Sequence, residues 1–172
     1  MVTSPPRCQS CGLAPSSAKY WIEGANARMF DEILKTLREC PRAEYKIEED
    51  LIRVLPSTPD GFEVVIEQIW EDHFVVSFDG WHEDFFDYEK ALECFFMGLS
   101  NRCRLKVQER GGSRFHWTLE YLDGTDWREG SSTQRLIHQF WKPVVTTYLQ
   151  NDLLRDNGPH RYVGAEKSLS PR

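Results

Sequence analysis

The segment from Cys103 to Tyr121 constrains the fold of this chain more than any other. Apolar and polar residues alternate along 103–107 and again along 115–121, and Gly111 and Gly112 stand between the two runs. Strict alternation places the apolar side chains on one face of a strand and the polar ones on the other. A glycine pair allows the tight reversal of an antiparallel hairpin. We therefore predict two paired strands with one face in a core.

Further runs of the same kind predict more strands. They lie at 51–55, 62–67, 74–78 and 125–129, and the last follows the hairpin dipeptide Asp123-Gly124. Because most of the connections between neighbouring runs are short and rich in turn residues, we expect antiparallel pairing. The sequence thus predicts an antiparallel β-sheet of five to six strands, a common size for one sheet.

Three helices are predicted around this sheet. The first begins near Asn26 and stops before Pro41, and the second is capped by Asp87. The third begins within 131–133, carries apolar residues from Leu136 to Leu149 and is kinked or divided by Pro143. The predicted fold class is α+β, with the order α-β-β-β-α-β-β-β-α and the helices packed on the sheet.

Length and composition predict one domain with two loose ends. The chain has 172 residues, of which 40% are hydrophobic and 28% charged, the balance of a folded protein. We expect a flexible arm at 1–20, a single α+β domain at 21–154 and a flexible tail at 155–172. No run approaches the ~20 apolar residues of a membrane helix, and residues 1–7 lack the apolar core of a secretory signal. These features favour a soluble, cytoplasmic protein.

The net charge and the cysteine content limit the classes of partner and cofactor that we expect this chain to bind. The net charge of −6 disfavours nucleic acid and favours basic protein surfaces or cationic ligands. Five cysteines, an odd number, indicate reduced thiols. Cys8 and Cys11 have the spacing of half a zinc site or of a redox pair, but the sequence offers neither a second such pair nor a preceding strand. We predict no cofactor and no metal, with Cys8 and Cys11 as the alternative metal ligands.

The segment 79–87 holds four acids, one histidine and three aromatic residues between a strand and a helix. His82 and Glu83 are candidates for general acid–base chemistry, and the acids of the segment for binding a cation. The competing interpretation, which we favour, is structural. Asp87 caps the helix, and the aromatic residues, among them Phe86, pack on the sheet.

His116 lies on the polar face of the 115–121 strand together with Thr118 and Glu120. If another element covers this face, His116 becomes a third catalytic candidate, beside His82 and Glu83. Four aromatic residues are candidates for lining a ligand pocket near these groups. They are Trp81, Trp117, Tyr121 and Trp127.

The function predicted from these features is non-enzymatic protein binding. An acidic charge, surplus aromatic residues and a sheet that can expose an edge support it. In element order, charge and size the chain resembles the small acidic secretion chaperones, which dimerise and bind an extended client, although the strand at 125–129 departs from their order. Immunity proteins of toxin systems share the acidic profile. The expected partner is another protein or a second copy, not nucleic acid or membrane. The alternative is a small enzyme or ligand-binding domain whose pocket uses His82, Glu83 and His116.

Overall fold

Two antiparallel sheets and two helices form the part of the chain that this computed structural model describes, residues 25–136 and 139–154. The predicted arm and tail, with Cys8 and Cys11, lie outside the described residues. The elements are α1 (Ala25–Arg38), β1 (Tyr45–Glu48), β2 (Leu51–Val54), β3 (Val64–Trp70), β4 (His73–Phe78), β5 (Trp81–Phe85), α2 (Tyr88–Leu99), β6 (Cys103–Arg110), β7 (Ser113–Asp123), β8 (Asp126–Gln134) and β9 (Val144–Leu149).

The strands pair in two separate ladders. A five-stranded sheet has the order β1-β2-β3-β4-β5, and a four-stranded sheet has the order β8-β7-β6-β9. Every ladder is antiparallel. The prediction of an antiparallel α+β fold is thus confirmed, whereas the predictions of a single sheet and of three helices are wrong.

The predicted third helix is replaced by strands. β8 continues to Gln134 through the residues taken for a helix start, and Val144–Leu149 forms β9, paired with β6. Val144, Val145, Thr146 and Thr147 are β-branched, which lowers helix propensity and favours a pleated strand. Pro143, just before them, has no N–H to give to a helix. The apolar spacing of this segment was therefore misleading.

Two short strands escaped prediction. β1 pairs with β2 across the turn at 49–50, and β5 pairs with β4 across Asp79 and Gly80. Asp79 has a φ of +55°, a left-handed conformation that aspartate tolerates better than most residues. β5 is not predicted from the sequence, because Glu83 and Asp84 have low strand propensity.

The helices and both sheets share one cluster of buried side chains. It contains Ile33 and Leu37 of α1, Phe95 of α2, Ile66 of β3 and Leu105 of β6. α2 packs mainly on β3 and β4. As predicted, Asp87 caps α2: its Oδ1 accepts hydrogen bonds from the N–H groups of residues 89 and 90.

Candidate functional site

A group of three aromatic rings, two of them exposed, lies at one end of the five-stranded sheet. The ring of His73 stacks on Phe86 with 4.8 Å between centroids and a tilt of 16°, and it lies 5.2 Å from the ring of Trp70. Trp70 is 68% exposed and Phe86 72%. Neither side chain is part of the core, and adjoining exposed apolar side chains can form an interaction surface. We call Trp70, His73 and Phe86 the aromatic cluster.

Strand pairing brings these three residues together. Trp70 faces His73 across the β3–β4 turn, after a register shift between Gln68 and Trp70. The side-chain Nε2 of Gln68 donates hydrogen bonds to the carbonyl oxygens of Trp70 and Glu71 at 3.0 Å each, which holds this turn. The pairing of Phe74 with Phe85 then places the next residue, Phe86, beside His73. The cluster is therefore built on strand ends and not on a long loop.

Asp84 orients the central ring of the cluster. Nε2 of His73 donates a hydrogen bond to Oδ1 of Asp84 at 2.7 Å, and both side chains lie on the face of the sheet opposite the core. Nδ1 of His73 is buried and has no hydrogen-bond partner among the described residues. With one nitrogen held by Asp84 and its face held by Phe86, the imidazole is preorganised.

Carboxylates crowd the same end of the sheet. The β1–β2 turn belongs to this end, since the N–H of Gln68 donates to the carbonyl oxygen of Asp50. We call the carboxylates of this end, together with the capping residue of α2, the acidic end. Its members are Glu48, Glu49, Asp50, Glu71, Asp72, Asp84 and Asp87. No Lys or Arg lies in the segments 48–50, 70–73 and 84–87 that form it.

The negative charge is unevenly distributed along the chain. Residues 25–100 carry 18 Asp and Glu against 7 Lys and Arg, whereas residues 101–154 carry 6 against 8. Glu93 lies in α2, about one turn after its start. Partial burial raises the pKa of Glu93, and the negative charges of Asp87 and Glu89 raise it further, although Lys90 opposes this effect. The acidic end therefore attracts cations and leaves an exposed aromatic surface between its carboxylates.

The three predicted catalytic residues do not hydrogen-bond to one another. Adjacent residues of a strand point to opposite faces, so His82 and Glu83 diverge. The backbone N–H of His82 donates to Oγ1 of Thr133 at 3.3 Å, and Oε2 of Glu83 accepts from Oγ of Ser131 at 2.8 Å. These contacts connect β5 to β8. Nδ1 of His116 donates to Oε1 of Gln108 at 2.8 Å. The arrangement does not favour shared acid–base chemistry.

The four predicted pocket residues lie in different surroundings. Trp81 and Trp117 are buried in the core, where Trp81 stacks on Phe78 at 4.8 Å. Tyr121 is half-buried near Gly130. Trp127 lies on the opposite face of the four-stranded sheet, since it pairs with Leu122 while Tyr121 pairs with Arg128. The structure thus brings Trp81 and Trp117 together with the core and leaves Trp127 on the His116 face.

That His116 face is a network of paired charges. The guanidinium of Arg104 lies 4.3 Å from the ring centroid of Trp127 and 4.4 Å from that of Tyr148, and its Nε donates to Oε2 of Glu120 at 2.5 Å. Nζ of Lys106 donates to Oε1 of Glu129 at 2.7 Å, which lowers the pKa of Glu129 and raises that of Lys106. Because its charges are already satisfied, this face has little left to offer an ionic ligand.

Metal and membrane features are absent from the described part of the chain. No group of three or more His, Cys, Asp and Glu side chains there is arranged to hold a metal ion. Neither α1 nor α2 has the length and apolar character needed to cross a membrane. Comparison with known proteins gives no further guide, since no family model, no curated protein and no solved structure matches this chain.

The aromatic cluster is not predicted by the sequence patterns. The sequence patterns give Trp70 and His73 no role, and the prediction that Phe86 packs on the sheet is wrong, since its side chain is 72% exposed. A signal was available, because Trp70-Glu71-Asp72-His73 closes a predicted hairpin and so must put two aromatic rings side by side. Phe86 could be placed beside them only once β5 was recognised.

Proposed function

We propose that this protein is a non-enzymatic protein-binding module that receives an arginine- or lysine-bearing segment of a partner protein at the aromatic cluster. The observation that carries the proposal is that the exposed rings of Trp70 and Phe86 flank the largely buried ring of His73 inside the acidic end. Neither the aromatic rings nor the carboxylates would support this proposal alone. Exposed rings alone are unselective, and surface carboxylates alone bind weakly.

Cation–π attraction explains why the segment is basic. A guanidinium or ammonium over the face of an exposed aromatic ring contributes about 0.5–1 kcal/mol, and about 2 kcal/mol where water is excluded. Trp70 gives the strongest such face. The carboxylates of Glu71 and Asp72, adjacent in sequence, supply long-range attraction, and arginine can also stack its planar group on an indole. Arginine is therefore the preferred residue.

Protein is a better-matched partner than nucleic acid. The phosphate backbone would be repelled by the 18 acids of residues 25–100. A basic protein surface would gain from the same field, which accelerates association at low salt. By covering such a surface the module would act in a chaperone-like or immunity-like way.

An array of short peptides tests the proposal. All peptides share the same neutral Gly-Ser sequence. They differ only at two positions, which are occupied by Arg, Lys, Gln or Glu. Binding is expected to follow the order Arg, Lys, then Gln and Glu near background, and to weaken as salt is added. Equal binding of the Gln and Arg peptides, or no binding at millimolar concentration, would overturn it.

Paired tryptophan variants test the location. Trp70→Ala should weaken binding of the Arg peptide by about tenfold, in line with the loss of one cation–π contact and its apolar area. Trp141→Ala is the matched control, because Trp141 is similarly exposed but lies beyond β8. It should bind as the unmodified protein does. Equal losses in the two variants would show that binding is not at the aromatic cluster.

A further inference from the structure

The outer edge of the four-stranded sheet has an unusual composition. β9 is the last strand on its side, and no strand of the described chain pairs with its free edge. Val144 is 41% exposed, Val145 51% and Tyr148 47%. Alternate backbone N–H and C=O groups of an edge strand point away from its neighbour and remain open to pairing.

Comparison with the other edges makes β9 distinct. Among the described strands, four lie at sheet edges: β1, β5, β8 and β9. Charged residues occur in β1 (Lys46, Glu48), in β5 (Glu83, Asp84) and in β8 (Arg128 among others), but β9 has none. Charges on an edge strand discourage pairing with another chain. Three edges are thus protected in this way, and one is not.

We propose that β9 pairs in antiparallel fashion with β9 of a second copy of this chain. The two-fold axis passes at Thr146, so that Thr146 faces Thr146 of the second copy and Val144 faces its Tyr148. The two four-stranded sheets then form one continuous sheet of eight strands. This surface is independent of the aromatic cluster, which belongs to the other sheet.

The register supports a second copy as the occupant. A two-fold axis normal to a sheet pairs residues of the same face, so Val144, Thr146 and Tyr148 continue the solvent-facing side across the junction. The half-exposed Val144 and Tyr148 cover each other, and pairs of aromatic with β-branched residues and of two threonines are favourable across strands. Because β9 carries no charge, none of its own residues repels its symmetry mate.

The charge distribution also permits this contact. The acidic end belongs to the five-stranded sheet, whereas residues 101–154, which form the four-stranded sheet, carry slightly more basic than acidic residues. Two copies can therefore approach through β9 without opposing their main negative surfaces. On the strand next to β9, Arg104 and Lys106 have Glu120 and Glu129 as partners within the same copy.

Light scattering of the full chain during size-exclusion chromatography tests the proposal, and a dimer is the expected result. Thr146→Glu sets two carboxylates against each other at the axis and should raise the dimer dissociation constant about tenfold or more. Thr146→Lys should do the same. An equimolar mixture of the two variants should recover the dimer, because each axis position then holds opposite charges. This recovery excludes misfolding as the cause of dissociation.

Ser132→Glu is the matched control, since Ser132 is an exposed residue of β8 at the opposite edge of the same sheet. It should leave the dimer intact. A monomer at every concentration would overturn the proposal, and so would a dimer that Thr146→Glu does not weaken. Hydrogen exchange distinguishes a second copy from a terminal segment of the same chain. If the protein is a monomer and the β9 amides are still protected from exchange, a terminal segment covers this edge.

Discussion

Asp79 accepts a hydrogen bond from the indole Nε1 of Trp117 at 2.9 Å, which fixes the β4–β5 turn of one sheet to a strand of the other. The same carboxylate oxygen accepts a second bond from Nη1 of Arg114 at 2.7 Å. One side chain therefore ties two β7 residues to a turn that no backbone ladder connects to them. Asp79 makes both contacts from a left-handed backbone conformation.

Replacing Asp79 should destabilise the fold without touching the aromatic cluster. Asp79→Ala leaves the indole N–H of Trp117 without its acceptor and forces alanine into a positive φ. We expect a loss of about 1–3 kcal/mol in the free energy of unfolding, measured by urea denaturation. Asp79→Asn keeps an acceptor and tolerates the backbone, so its loss should be smaller. Equal losses for the two variants would contradict this role.

Gly98→Ala should lower stability, although alanine ordinarily stabilises a helix by about 1 kcal/mol over glycine. A Cβ at this position of α2 would lie 2.4 Å from the ring carbons of Phe78. The ring is buried between α2 and the sheet, so the overlap has to be relieved by moving the helix. We expect a net loss of about 1–3 kcal/mol in the free energy of unfolding. A rise in melting temperature would show that the contact is loose.

Two buried cysteines should resist alkylation. Burial raises the pKa of the Cys94 and Cys103 thiols, well above the ordinary value for Cys94, so little reactive thiolate forms. Cys40 is partly exposed, and partial burial together with Glu39 raises its pKa as well. Iodoacetamide at pH 8, followed by peptide mass spectrometry, should label Cys40 slowly and the other two only after denaturation. Rapid labelling of Cys103 in the folded protein would contradict this packing.

The pair of Lys106 and Glu129 should make stability depend on pH at both ends of the scale. The hydrogen bond from Lys106 lowers the pKa of Glu129, so its stabilisation is present above the unfolded pKa and is lost as pH falls through the folded one. The same bond raises the pKa of Lys106, so that contribution is lost as pH rises through its folded pKa.

Lys106→Met, compared with the unmodified protein, measures this pair. The difference in melting temperature should be largest near neutral pH and should shrink in both acid and alkali. In the variant, the carboxyl resonance of Glu129 should titrate closer to the ordinary value of 4.5. An unchanged titration of Glu129 would show that Lys106 does not hold it in solution.

The sequence predicted the elements whose signals are local. The alternation along 115–121 identified β7 and its polar face with His116, and Asp87 identified the start of α2. Local signals failed where pairing decided the outcome. The apolar spacing from Leu136 to Leu149 matched a helix, but the β-branched residues of β9 gain more by pairing with β6.

Only part of the candidate surface could be predicted from the sequence. The segment 79–87 is predicted as a candidate site because it is acidic and aromatic, and the proposed surface takes Asp84 and Phe86 from it rather than His82. Asp79-Gly80 carries the same hairpin signal that predicted the turn at Asp123-Gly124. At Asp79-Gly80 the signal predicts the pairing of β4 with β5, which places Phe86 beside His73. Asp84 orients His73 from a diagonal position on the neighbouring strand. That contact depends on strand pairing and cannot be predicted from one sequence alone.

A nuclear magnetic resonance titration with the arginine peptide tests the central claim most directly. The indole N–H of Trp70 and the amides of 70–73 and 85–87 should shift most, while the indole N–H of Trp141 stays in place as an internal reference. The shifts should diminish together as salt is added. Shifts concentrated on the His116 face, or none at saturating peptide, would contradict a basic-segment site at the aromatic cluster.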